Sequence, residues 1–325
     1  MTVLRFLGNM ILAIILIVLI VLIFFAAYAI AVSKVWENVG LDQDVEGGAW
    51  TWIEGQPIYY QTWGAEQGPT VVLVHDFSVE GLQTWKANAQ GLGKLGMRVV
   101  AVDLKGFGHS ARDTSATYSL REQANILAQV LNQLKVGQAT LVGHGWGSAL
   151  VLQMASEQPQ FAGQIVLIAP LVYKDVVPLW QYVTQVPYAG PYLKRAAVWA
   201  TAGGGPVWTL MHRRGFYRPL NVSNTYFREM VRPSHILGTT DALLAMAATP
   251  KDSDLPQAIS DIEVPVLILM GSNDLDVPLA DAERLAKQLP DAKLVVIPEA
   301  GHYVHVEQNA SVNERIAEFC LRGVR

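Results

Sequence analysis

Apolar positions fall into three regimes along the chain. The first is unbroken: Met10 to Val32, "MILAIILIVLIVLIFFAAYAIAV", contains no charged residue. As a helix rising about 1.5 Å per residue, this run crosses roughly 30 Å of hydrocarbon. A secretory leader is the competing reading, since Ala29 and Ala31 imitate a cleavage site. Leader cores span only about 7–15 residues, so the run predicts a retained transmembrane anchor. Arg5 precedes it; Lys34, Glu37, Asp42, Asp44 and Glu46 follow. Counting basic flanks favours an inside amino terminus and an extracytoplasmic domain. Residues 33–40 are expected to carry the helix out of the membrane.

The second regime begins near Trp50, where short β-branched runs alternate with amphipathic stretches. "AWTWIEGQPIYYQTWG" predicts two strands about a turn at Gly55-Gln56-Pro57. "TVVLVHD" (70–76) and "MRVVAVDLKG" (97–106) read as buried strands, with a helix over 81–94 between them. "SLREQANILAQVLNQLKV" (119–136) opens on a serine cap and repeats apolar residues at helical spacing. A strand over 139–142, a turn at Gly145, a helix over 147–157 and a strand over 164–169 follow. The rhythm returns at 264–271 and 292–301 and closes on a helix over 308–321. Such alternation predicts a mostly parallel sheet with helices on both faces.

The third regime, 171–256, breaks this rhythm with Trp180, Trp199, Trp208 and a Gly203-Gly204-Gly205-Pro206 interruption. It predicts a helical cap over the carboxyl edge of the sheet, where open α/β folds bind ligands. The expected domains are therefore an anchor over 1–40, a core over 48–170 and 257–325, and a cap over 171–256.

Composition narrows the function classes. Of 325 residues, 51% are hydrophobic and 16% charged, with a net charge of −4 and no long basic run, which argues against nucleic-acid binding. One cysteine, Cys320, excludes an intramolecular disulfide and a cysteine-rich metal site. The cap has nine basic and five acidic residues. That excess reads either as an ordinary solvated face or as attraction to an anionic membrane surface. Small residues Ala26, Ala27, Ala29 and Ala31 on the anchor admit a homodimer.

The chemistry centres on "TLVGHGWGSALVLQM" (140–154), a strand, a glycine-flanked turn and a helix. Small residues at 143 and 147 permit a strained turn that presents its central residue, and that residue is Gly145. Dinucleotide binding is disfavoured, because the motif follows a late strand and no acidic partner stands about 20 residues on. Asp274, in "GSNDLDVPL", follows one late strand; His302, in "PEAGHYVHVEQ", follows the last. Each also has a structural reading: Asp274 satisfying its own turn, His302 or His305 as a buried spacer. Their order matches an acid that orients a histidine base. The pair His302 and His305 with Glu307 makes a poor zinc site, so no metal or cofactor is expected.

Residues 50–321 resemble the α/β-hydrolase superfamily, in the branch of esterases, lysophospholipases, ring-cleavage-product hydrolases and epoxide hydrolases. The resemblance rests on "IYYQTWG", "VVLVHDF", "VVAVDLKGFGHSA", "LVGHGWGSAL", "VPVLILMGSNDLDVP" and "AGHYVHVEQ". It implies an α/β-hydrolase fold with a helical cap, a nucleophile position at Gly145, the acid at Asp274 and the histidine at His302. It also implies an oxyanion hole from the Phe77 and Trp146 N–H groups. The anchor ahead of such a domain is similar to bacterial inner-membrane phospholipases of this fold, single-pass with a periplasmic domain.

Two positions depart from the family pattern. Serine, or aspartate in epoxide hydrolases and dehalogenases, commonly stands at 145; glycine commonly follows the oxyanion-loop histidine, where this chain has Asp76. Lys105 and Arg112 are candidate partners of Asp76 by charge. Ser148 is already in the helix, Ser78 is a weak substitute, and a water activated by His302 would lose the covalent step. The leading expectation is a membrane-anchored carboxylic-ester hydrolase, lipase- or phospholipase-like, whose parental serine at 145 is replaced by glycine. Apolar acyl substrates would meet Trp180, Tyr188, Tyr192, Trp199, Trp208 and Tyr217. A natural nonhydrolytic binder of lipid or protein, and an epoxide- or halide-directed enzyme with aspartate at 145, are the alternatives.

Overall fold

The computed structural model describes residues 2–41, 47–114, 117–173, 191–249 and 255–322. Eight strands form one sheet in the order β1-β2-β4-β3-β5-β6-β7-β8. The antiparallel edge is β1 (Gly48–Ile53) and β2 (Gln56–Gly64). The parallel strands are β3 (Thr70–Val74), β4 (Arg98–Val102), β5 (Ala139–His144), β6 (Ala162–Ile168), β7 (Val266–Gly271) and β8 (Ala292–Ile297). Alternate residues of β3 enter different cores, Val72 and Val74 on one face and Val71 and Leu73 on the other. That is why its sequence is continuously apolar. Helices α3 (Leu120–Gln133) and α4 (Trp146–Glu157) cover the first face, with Leu127, Leu131 and Leu150 in its core. On the second lie α2 (Lys86–Lys94) and a late helix, Asn309–Arg322, through Leu92 and Ile316.

Two local expectations change. The β1–β2 turn is the pair Glu54-Gly55, with φ of 51° and 78°, so Gln56 and Pro57 already belong to β2. Positive φ at both central residues gives the turn whose twist suits a hairpin. A helix also forms at Leu279–Gln288, between β7 and β8, where no element is expected from the sequence.

Between β6 and β7 the cap contains α5 (Pro191–Thr201), α6 (Pro206–Arg214), α7 (Asn224–Val231) and α8 (Thr239–Ala248). The amino-terminal helix α1 (Thr2–Trp36) is long and apolar enough to cross a membrane between Arg5 and Val32, and its side chains there are largely exposed. Its end is fastened to the cap. Trp36 stacks on His235 at 4.3 Å, meets Trp199 edge-on at 5.7 Å, and donates Nε1–H to Ser234 Oγ at 2.9 Å. Glu37 is buried and accepts the Gly238 and Thr240 N–H groups, each at 2.9 Å, while pairing with Arg195. Gly238 has no side chain with which to cap α8, so Glu37 caps that helix from outside and complements its dipole. Glu37→Ala strands two amide donors and leaves Arg195 with Asp241 as its remaining carboxylate partner; it is expected to cost about 2–4 kcal/mol in equilibrium denaturation.

Candidate active site

The β5–α4 turn holds Gly145 at φ 53° and ψ −119°, a conformation unfavourable to any residue with a side chain. Its neighbours are close-packed: a Cβ on Gly143 would lie 2.4 Å from Gly147 O, and one on Gly147 would lie 2.4 Å from His75 O. Sharp turning thus brings the start of α4 beside the loop after β3. Ser148 donates to Gly143 O at 2.8 Å and faces the turn's own backbone, as its place in the helix implied.

Asp274 leaves β7 in a turn that it also closes. Its Oδ1 accepts Asp276 N–H at 2.8 Å and Val277 N–H at 2.9 Å, while Oδ2 lies 3.0 Å from His302 Nδ1. Its structural and orienting readings therefore hold together. His302 follows β8 and is buried; its own N–H donates to Gly215 O of the cap at 2.7 Å. His305 is bonded through Nε2 to Thr84 Oγ1 at 2.8 Å, and Glu307 accepts the Gly301 and Tyr217 N–H groups. These two are structural.

Asp76 is the unforeseen member. Its Oδ1 accepts the Trp146 N–H at 2.6 Å, and its Oδ2 lies 3.3 Å from His302 Nε2. A Cβ built on Gly145 would lie 2.3 Å from Asp76 Cγ. The carboxylate therefore occupies the space of a side chain at 145, on the expected oxyanion donor and beside the expected base. The cations proposed for it are elsewhere. Lys105 pairs with Glu122, and Arg112 donates to the carbonyls of Phe107, Ser110 and Gly108 and to Thr239. Charge along the sequence indicated that Asp76 needs a partner but not the direction in which it points.

The electrostatics follow from this sandwich. Burial pushes Asp76 up, but the His302 hydrogen bond, the His144 and His302 charges and the Trp146 N–H outweigh it and hold the acid well below its ordinary range. Burial pushes His302 down; hydrogen bonds to Asp274 and Asp76 overcome that and raise it well above 6.5. His302 thus rests as an imidazolium donating to two carboxylates. His144, buried beside it, is lowered to about 4 by burial and donates Nε2–H to His302 O at 3.0 Å. Asp76→Asn removes one of the two carboxylates, so the His302 pKa is expected to fall by about 1–3 units, read from its imidazole NMR resonances against pH.

A second buried group borders the first. Glu80 is pushed up to about 8 by burial and is neutral at pH 7, with Ser78 donating to it. His212 of α6 is lowered to about 3, again by burial, so its 3.6 Å approach to Glu80 joins two neutral groups. Glu80 Oε1, His212 Nε2 and the Tyr226 hydroxyl have no hydrogen-bond partner among the described residues.

Asp76, His144 and His302 offer three metal-type donors within 4.8 Å of one another. Both His302 nitrogens already face carboxylates, so this set would bind an ion only by giving up one of those bonds. Among the expected substrate-lining residues, Trp208 is buried and stacks on His212 at 4.7 Å, beside the Glu80 group. Trp199 is buried against Trp36 where α1 meets the cap, so it packs the cap. Tyr217 lies under Arg218. Trp180, Tyr188 and the side chain of Tyr192 lie outside the described residues. The Phe77 ring meets Trp146 edge-on at 5.6 Å, forming an aromatic wall beside Asp76.

Comparison with known proteins agrees with this architecture. Residues 69–308 match the family described as alpha/beta hydrolase fold. The uncharacterized hydrolase YugF of Bacillus subtilis is 26% identical over 280 residues, covering 82% of this chain and 95% of that protein. Bifunctional epoxide hydrolase 2 of Sus scrofa is 38% identical over 94 residues, 29% of this chain and 17% of that one. A crystal structure of a membrane phospholipase A, described as a bacterial virulence factor, superposes with a TM-score of 0.68 at 21% identity, covering 99% of each chain. The sheet order, the strand–turn–helix at Gly145 and the matched span together establish that this chain belongs to the α/β hydrolase fold family.

Proposed function

We propose that the chain is a membrane-anchored hydrolase acting on apolar, lipid-like molecules that reach it from the bilayer. The observation that carries this is the His302–Asp274 pair, a histidine fixed by a buried acid at the family's base position. Location is supported by α1, whose apolar span runs directly into the cap clamp at Trp36 and Glu37. The resemblance to a membrane phospholipase A over nearly the whole chain supports the same reading. Counting basic flanks favours an extracytoplasmic domain, and this reading assigns the chain to a bacterial inner membrane.

The lipase-like route through a serine does not suit this chain as it stands, because Asp76 fills the space that a serine at 145 would need. Gly145 therefore reads as the native companion of Asp76 rather than as a removed nucleophile. The test is turnover by the full chain in lipid nanodiscs, using phospholipid, lysophospholipid, aryl esters and fatty epoxides. Hydrolysis of at least one that disappears in His302→Gln supports the reading. Tight fatty-acid binding with no turnover of any would favour the nonhydrolytic alternative.

A further inference from the structure

The relation between Asp76 and Gly145 says more about the reaction. The two positions lie on different loops, yet the carboxylate of one fills the side-chain space of the other. Its two oxygens are placed differently. Oδ1 is held by the Trp146 N–H, and Oδ2 faces His302 Nε2. The Asp76 side chain keeps 20% of its exposure while that of His302 keeps 5%, so the carboxylate is the more accessible of the two.

We propose that Asp76 is the nucleophile of this site, supplied from the oxyanion loop, and that its substrate class is the epoxides of apolar molecules. The proposal rests on the hydrolase reading above and assigns its reacting group and its bond. Two other roles fit the geometry less well. A base that activates water directly must be free to take a proton, whereas both His302 nitrogens already donate to carboxylates. Attack by a carboxylate on an ester carbonyl would give a mixed anhydride, no easier to reach than the ester is to hydrolyse. A carboxylate attacking a saturated, strained carbon needs no prior deprotonation.

The steps balance. The Oδ2 lone pair forms a bond to an epoxide carbon, and the ring C–O bond breaks with its electrons passing to the ring oxygen. That oxygen takes the proton on His302 Nε2, directly or over one water. Asp76 is now a neutral hydroxyalkyl ester, and His302 is a neutral imidazole still oriented by Asp274. His302 then takes a proton from water, and the hydroxide adds to Asp76 Cγ. The negative charge forms on Oδ1, where the Trp146 N–H already points. Collapse breaks the Cγ–Oδ2 bond and releases the diol, which takes the proton of the new carboxyl group. This regenerates the Asp76 carboxylate and the imidazolium. A halide leaving group would take no proton and would leave His302 cationic, which is why the proton inventory selects an epoxide.

Oxygen bookkeeping supplies the test. The full chain in nanodiscs, in molar excess over epoxystearate or styrene oxide, is allowed one turnover in heavy-oxygen water. The proposal expects a diol without heavy oxygen and an Asp76 peptide carrying it. A sample of the unmodified chain quenched in acid before the turnover completes is expected to yield an Asp76 peptide heavier by the mass of the probe. A labelled diol with an unlabelled Asp76 peptide overturns the proposal in favour of direct attack by water. Ester hydrolysis without epoxide turnover overturns the nucleophile and leaves the hydrolase reading in place. Loss of turnover to a chelator, restored by zinc, overturns it in favour of a metal held by Asp76, His144 and His302. No turnover of any ester or epoxide removes both readings.

Discussion

Gly145→Ser made alone is expected to lower stability by about 2–5 kcal/mol and to confer no esterase activity. The same change made together with Asp76→Gly is expected to recover the overpacking part of that loss and to raise ester hydrolysis at least ~100-fold. The single change puts a Cβ 2.3 Å from Asp76 Cγ, so the carboxylate must leave its place between Trp146 N–H and His302. Overpacking costs about 1–3 kcal/mol, and a side chain at a positive φ adds about 1–2 kcal/mol. The displaced carboxylate also stays beside the developing oxyanion, where its charge opposes catalysis. The double change clears the oxyanion donor and leaves His302, freed of one carboxylate, as a base for the new hydroxyl. A general base contributes about 10²–10⁴-fold, which sets the expected gain. Thermal denaturation and aryl-ester hydrolysis of the three proteins test the idea. An efficient esterase from the single change would show that the two positions are not matched.

His302→Gln is expected to lower turnover by at least ~1000-fold and to change the slope of stability against pH. In the unmodified chain the depressed Asp76 contributes stability above its unfolded value of 3.8, lost as pH falls through its lower folded value. The raised His302 contributes stability below 6.5, lost as pH rises through its higher folded value. Between these limits both contributions are present. Without the imidazolium, two buried carboxylates lose their shared counter-charge, at a cost of about 3–5 kcal/mol near pH 7. Protonation then relieves the variant, while the buried neutral His144 and His212 cost both proteins alike as pH falls, so the stability of the variant relative to the unmodified chain should rise from pH 7 toward 5. Parallel pH slopes for the two proteins would show that the imidazolium bridge does not hold in solution.

Most of the fold was legible because each of its signals is local. Continuous apolar runs marked β3 to β7, and the strand–turn–helix around Gly145 could be read within fifteen residues. Asp274 and His302 were found from their place after late strands, and the structure joins them at 3.0 Å. Asp76 was noticed only as a departure. Its role depends on the Trp146 N–H, 70 residues away, and on His302, 226 residues away. No local periodicity encodes that convergence, and formal charge pointed to Lys105 and Arg112, which are engaged elsewhere. Glu37 was hidden for a similar reason. It read as one of several acids after the anchor, whereas its partners are backbone amides of the cap, which carry no sequence signature.

The clamp at Trp36 and Glu37 also bears on separation of the folded domain from the apolar part of α1. Hydropathy ends the apolar span at Val32, and the first strand of the core begins at Gly48, so a cut anywhere between them looks equivalent on paper. The structure divides that interval. A soluble form beginning just before Trp36 keeps the tryptophan stack on His235 and the outside cap on α8. One beginning at the first strand discards both, leaving the start of α8 uncapped and Arg195 with Asp241 alone, in a cap to which His302 is tied through Gly215. Where a protease or a cloning boundary falls within about a dozen residues thus decides whether the separated domain keeps a firm roof or a loosened one.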